Sequence, residues 1–221
     1  METCRESSLV SFKIQQRLLE VAVHTTPQSR TGRVLLPKRI VLTGFMGAGK
    51  STVGPRLAQR LGWTFIDLDD EIVRVEQQSI AQIFDSLGET RFRELEHKAL
   101  GNTLHRENIV LALGGGAMET SANRERIQQD DETLLLYLAA PLEVLIERCE
   151  HQQLQPAAVR RPILERRADL TERFQRRRPL YELADWTLDT TSQTLDELVA
   201  AILDRWNNAS WNTAEERQEQ A

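Results

Sequence analysis

The sequence predicts an α/β fold, one parallel sheet covered on both faces by helices, with ligands bound at the carboxyl ends of the strands. Three observations predict it. Apolar, strand-like runs alternate with helical stretches from Lys38 to Trp206. The first run, Ile40-Val41-Leu42, leads into Gly44-Phe45-Met46-Gly47-Ala48-Gly49-Lys50-Ser51, which fits GxxxxGK[ST]. Val53, Leu57 and Leu61 then recur at helical spacing, so the glycine-rich loop lies between a strand and a helix, as the motif requires.

That loop sets the class of ligand. Gly44, Gly47 and Gly49 let backbone N–H groups turn inward onto phosphate oxygens, at the positive end of the helix that starts near Lys50. Lys50 is placed to reach the β- and γ-phosphates of a nucleoside triphosphate, and the Ser51 hydroxyl to ligate the Mg²⁺ that bridges them. With Gly47, Ala48, Gly49 and Thr52, these residues form the expected nucleotide loop.

The remaining elements follow in order. A second strand is expected over Trp63 to Ile66, then helices over Asp70 to Glu76, Ser79 to Leu87 and Glu89 to Leu104. Asn108 to Leu113 reads as a third strand, Thr120 to Gln128 as a helix and Thr133 to Leu138 as a fourth strand. Leu142 to Cys149 and an arginine-rich stretch ending near Tyr181 are helical, and Trp186 to Leu188 is a short last strand. The final helix, Leu195 to Trp206, carries Leu195, Leu198, Val199, Ile202 and Trp206 on one face.

Three regions are expected: an extension over residues 1–37, a folded unit over 38–206 with a lid near 150–165, and a polar, disordered tail over 207–221. In the extension, Phe12, Ile14, Leu18, Leu19, Val21 and Val23 suit a short amphipathic helix before a loop at Thr25 to Gly32. A transit peptide is the rival there, weakened by Glu2, Glu6 and Glu20.

The chain of 221 residues has a formal net charge of -5, which gives no general attraction to nucleic acid or to an anionic membrane. Charge is segregated locally, with eight arginines between Arg160 and Arg178 against Glu165, Asp169 and Glu172. By themselves these arginines read as a long solvated helix or a weak nucleic-acid patch. Two cysteines in unlike contexts, Cys4 and Cys149, argue for a reducing compartment, and Cys149 reads as structural. The start METCRESSLV lacks a secretory pattern, and no apolar run nears the roughly 18 residues of a membrane span. A cytoplasmic monomer without nucleic-acid or membrane partners is expected. His24, His97, His105 and His151 lack partners at metal-ligand spacing.

Chemistry gathers at the strand ends. Asp67-Leu68-Asp69-Asp70 places carboxylates where the second strand ends, beside the phosphate loop emerging from its neighbour. Asp70 reads as a helix N-cap, while Asp67 and Asp69 suit Mg²⁺ and an acceptor hydroxyl. Gly114-Gly115-Gly116 ends the third strand, where absent side chains allow a ligand to touch backbone. In Gly88-Glu89-Thr90-Arg91-Phe92-Arg93-Glu94-Leu95-Glu96, Arg93 and Glu96 sit on neighbouring turns and could pair, although the segment alone reads as a solvated helix face.

Taken together, GFMGAGKST, DLDDEI, SIAQIF followed by GETRFRELE, LGGGA, RRPIL and RRRPLYELA, in this order, resemble shikimate kinase. The resemblance spans about Lys38 to Leu203 and implies the nucleoside monophosphate kinase-like P-loop fold, a five-stranded parallel sheet in the order 2-3-1-4-5. It implies ATP-dependent phosphorylation of the 3-hydroxyl of shikimate, a step toward aromatic amino acids. By the same resemblance, Asp69 is the general base, Asp67 helps hold Mg²⁺, and Arg93 and Arg177 clamp the shikimate carboxylate. Gly114, Gly115 and Gly116 line the shikimate site with Phe84 as an apolar wall, Arg148 stacks on adenine, and Arg161 is the lid arginine. Arg160 could exchange with Arg161, and the register of Arg177 against Arg176 and Arg178 is open by one residue. The adenine loop is expected near Asp189 to Gln193, without a sharp motif.

The chemistry agrees, since paired guanidinium donors fix a small carboxylate-bearing polyol in one orientation. The rivals are a gluconate or nucleoside monophosphate kinase of the same fold, and a non-catalytic regulatory relative. A GTP switch is opposed because Asp85-Ser86-Leu87-Gly88 ends a helix and no NKxD follows.

Overall fold

The computed structural model of this chain describes residues 36–153 and 167–209. The expected helix within residues 1–35, the lid arginines Arg160 and Arg161, and the tail beyond 209 lie outside the described residues. The strands are β1 (Arg39–Thr43), β2 (Thr64–Asp67), β3 (Ile109–Ala112), β4 (Thr133–Ala139) and β5 (Trp186–Asp189). The helices are α1 (Lys50–Leu61), α2 (Leu68–Glu76), α3 (Ile80–Leu104), α4 (Ser121–Gln129), α5 (Leu142–Gln153), α6 (Arg167–Tyr181) and α7 (Leu195–Asn207). A 3₁₀ turn over Ala117–Glu119 follows the glycine run.

All strand pairs are parallel, in the order β2-β3-β1-β4-β5, as the resemblance implies. β1 is central, with Leu42 in register with Ala112 on one side and Leu136 on the other. Ile40, Val41 and Leu42 are fully buried, which is why β1 reads as an unbroken apolar run.

One expectation is corrected by this order. The neighbour of β2 is β3, not the strand that feeds the phosphate loop. The loop and the acids of β2 meet instead through α1, which lies close over β2. A methyl group on Gly54 of α1 would stand 2.2 Å from the Phe65 ring, so glycine is what permits that approach.

The helical stretches expected on either side of Gly88 join as α3, broken at Gly88 by a backbone of φ 78° and ψ 171° that disfavours any side chain. Ser79 and Gln82 form a capping box at its start, and Thr194 and Glu197 form another on α7. Leu198, Val199, Ile202 and Trp206 of α7 are buried as expected, whereas Leu195 in its first turn stays exposed. Trp206 meets Trp63 edge to face at 5.5 Å, and Arg56 of α1 pairs with Asp196 at 2.9 Å, joining the two helices. No helix among the described residues is long and apolar enough to cross a membrane.

Candidate active site

The site is built from the segments that follow β1, β2 and β3, closed on one side by α6. Gly44, Gly47 and Gly49 have φ of 144°, 76° and 96°, the conformations that turn successive amides toward one point. Gly49 precedes α1 with no side-chain cap, so no capping side chain stands between the positive end of that helix and an anion. Lys50 Nζ donates to the carbonyls of Gly44 at 2.7 Å and Phe45 at 3.1 Å, arching over its own loop. The loop rests on α5: a methyl on Gly47 would lie 2.5 Å from the Leu145 carbonyl and 3.0 Å from Cys149 Sγ. Cys149 is buried there as a packing residue.

Asp67 joins the two halves of the nucleotide end. Its Oδ2 accepts from the Ser51 hydroxyl at 3.0 Å, and its Oδ1 accepts from the Asp69 amide at 3.1 Å. It is therefore Asp67, not Asp70, that N-caps α2, which corrects the expectation and starts that helix at Leu68. Asp70 lies inside the first turn, where burial and the charge of Asp67 raise its pKa.

The glycine run stands between two pairs of charged groups. A methyl on Gly114 would fall 2.7 Å from Asp69 Oδ1 and 3.3 Å from Glu96 Oε1. One on Gly116 would fall 2.6 Å from Arg93 Nη2 and 3.0 Å from Arg177 Nη2. Two guanidinium groups and two carboxylates thus face one stretch of bare backbone. Gly115 is fixed from beneath, where the fully buried Tyr181 donates its hydroxyl to the Gly115 carbonyl. Burial pushes the Tyr181 phenol far up, so it stays a donor.

Arg93 Nη1 donates to Glu96 at 3.0 Å, the pairing its spacing allows, and Nη2 donates to Glu89 at 3.2 Å. Contrary to the reading of that segment as a solvated face, Glu96 is only 1% exposed, because Phe92, Leu95 and Ala99 carry it into the core. Burial raises the Glu96 pKa, Arg93 opposes the rise and the charge of Asp69 adds to it. Phe84 stacks on Phe92 with ring centroids 4.6 Å apart, and Arg93 lies over the Phe92 ring.

Of the three consecutive arginines, Arg177 is the one turned inward. Its side chain is 10% exposed and pairs with Glu119 at 2.6 Å. Arg176 is 58% exposed and meets the other oxygen of Glu119, while Arg178 pairs with Glu182 on the surface. Burial tends to raise the Glu119 pKa, but the hydrogen bonds and charges of Arg177 and Arg176 outweigh it and hold the carboxyl low. At the far end, Arg148 donates to the Thr190 hydroxyl at 2.9 Å and to the Thr190 carbonyl, joining α5 to the loop after β5. That is where the adenine loop is expected.

Several contributors escape sequence reasoning. Glu119 and Thr190 belong to no motif. Tyr181 stands in RRRPLY, a usable signal, but its contact with Gly115 does not follow from spacing. Phe174 of α6 meets the loop residue Phe45 edge to face at 5.4 Å, which links α6 to the nucleotide end as well as to the glycine run.

Ser51 and Asp67 are the described residues best suited to a divalent cation, a hydroxyl and a carboxylate already within hydrogen-bonding distance. Asp69 and the two arginines suit a hydroxylated carboxylic acid, held by the arginines with a hydroxyl toward the aspartate.

Comparison with known proteins shows the family. The family model described as Shikimate kinase matches residues 46–207. The chain is similar to the shikimate kinase of Salinibacter ruber, 40% identical over 179 residues that cover 76% of this chain and 84% of that protein. It is also similar to that of Persephonella marina, 36% identical over 169 residues that cover 76% and 98%. Among solved structures, shikimate kinase from Acinetobacter baumannii in complex with shikimate superposes with a TM-score of 0.67 at 37% identity, over 76% of this chain and 92% of that one.

Proposed function

The chain belongs to the shikimate kinase family, and on that premise we propose how its residues divide the work. Its activity is ATP-dependent phosphorylation of shikimate. The acceptor in this proposal is the 3-hydroxyl, and the catalytic unit is residues 38–206, acting as a cytoplasmic monomer.

The observation that carries the assignment of roles is the convergence of Arg93 and Arg177 on Gly116. Two planar donors held in place can take the shikimate carboxylate in one orientation, and fixing the ring selects which hydroxyl reacts. Asp69, across the glycine run, then accepts the proton of that hydroxyl as it attacks the γ-phosphorus. The buried carboxyl of Glu96 holds Arg93, and Phe84 with Phe92 forms the apolar side.

At the nucleotide end, Lys50 exchanges the carbonyls of Gly44 and Phe45 for phosphate oxygens, and the loop from Gly47 to Thr52 cradles them, shaped by the Ala48 amide donating to Phe45 and the Thr52 amide to Gly49. Ser51 and Asp67 would hold Mg²⁺, Asp67 through water. Bound there, the ion would neutralise charge on the phosphates. Arg148, held at Thr190, is the adenine neighbour. Arg161 supplies the lid arginine by its place in RRPIL, with Arg160 as the alternative.

The test is ADP release by the full chain with MgATP and shikimate, gluconate, AMP or no acceptor. Turnover with shikimate alone is expected. Equal turnover with AMP, which has no carboxylate, would overturn the clamp assignment, and equal turnover with gluconate, itself a hydroxylated carboxylic acid, would overturn shikimate as the selected acceptor.

A further inference from the structure

We propose that Glu119 is a positioning residue for shikimate, setting the direction in which Arg177 presents its guanidinium. The proposal rests on Arg177 as a clamp arginine.

A guanidinium has two edges that can each bind a carboxylate with two donors: Nε with Nη2, and Nη1 with Nη2. Glu119 takes the first. Its Oε2 accepts from Arg177 Nε at 2.7 Å and stands 2.6 Å from Nη2. The second edge is turned to the glycine run. Nη1 would lie 3.6 Å from a methyl on Gly115, and Nη2 3.0 Å from one on Gly116, the point that Arg93 approaches from the other side.

Glu119 is itself tied to that run. It closes the 3₁₀ turn, and its amide donates to the Gly116 carbonyl at 2.9 Å. The carboxylate that aims Arg177 is thus fixed relative to the backbone that the substrate must touch. Its other oxygen accepts from Arg176 at 2.9 Å, an exposed pairing of small energetic weight. The arrangement parallels that of Arg93, which is held by Glu96 and Glu89. Each clamp arginine has a carboxylate behind it, and only the one behind Arg177 stands outside every motif.

Anchoring of this kind saves the ordering of a long side chain when substrate binds, so its loss weakens ground state and transition state alike. Glu119→Gln should raise KM for shikimate about three- to tenfold, with kcat and KM for ATP within about twofold. A cyclohexene triol lacking the carboxylate should show unchanged kcat/KM, a split that a general loss of structure would not produce. Glu119→Asp, which keeps the charge, should recover part of the affinity and serves if the glutamine variant does not fold.

Shikimate affinity is then measured in Arg177→Ala with and without Glu119→Gln. No added loss in the double variant is expected. Equal losses for shikimate and the triol, or a full added loss without Arg177, would overturn the proposal. If Arg177→Ala binds shikimate normally, the clamp reading itself fails. If Arg177→Ala binds poorly but Glu119→Gln binds normally, only the role of Glu119 fails.

Discussion

Arg93 of α3 and Arg177 of α6 bring their guanidinium groups to a single point over Gly116, where even one methyl group would crowd both. The two helices lie far apart in sequence and meet through the turn that follows β3. The glycine between the arginines is a spacer whose lack of a side chain leaves room for both guanidinium groups, the proposed carboxylate clamp.

Gly116→Ala tests that spacing. The backbone of Gly116, φ -104° and ψ -5°, is open to alanine, and the three atoms nearest the added methyl all belong to the two arginines. We expect it to cost about 1–2 kcal/mol of shikimate binding, roughly five- to thirtyfold in KM, with KM for ATP and Tm nearly unchanged. A normal KM for shikimate would place the carboxylate elsewhere.

Asp69→Asn separates chemistry from binding. The amide keeps the size of the side chain beside Gly114 but cannot take the proton, so kcat should fall about 10²- to 10⁴-fold while shikimate binding survives. Stopped-time assays of kcat, with shikimate binding followed by titration, check both halves. A kcat near that of the parent would remove Asp69 as the base.

The pairing of Glu119 also has a pH signature. Its pKa is held below the ordinary 4.5 in the folded chain, so the folded state binds this proton less readily than the unfolded one. Glu119 therefore contributes stability that is fully present above about pH 4.5 and is lost as pH falls through its lowered folded pKa. Melting curves of the parent and of Glu119→Gln should differ at neutral pH and converge in acid. A gap that persists unchanged however far the pH falls below 4.5 would mean that the variant loses packing and not this ion pair.

Much of this site is legible in the sequence because its parts are local. A phosphate loop needs glycines at set offsets between a strand and a helix, and the side chains of Lys50 and Ser51 follow from their places in that unit. The pairing of Arg93 with Glu96 follows from one turn of helix. The burial of Glu96 does not, because it depends on what α3 is packed against. The capping of α2 is similarly ambiguous, since Asp67, Asp69 and Asp70 all suit a helix start, and the strand's course makes Asp67 the cap.

The sequence by itself determined the alternation of strands and helices, the nucleotide loop and the family, because each is written in short-range spacing and composition. Only the tertiary structure decided that Arg177 faces inward while Arg176 and Arg178 face out, that Tyr181 fastens Gly115, and that Glu119 stands behind Arg177. Those relations join residues across separate elements, and their geometry depends on how α6 crosses the turn after β3, which no local pattern encodes.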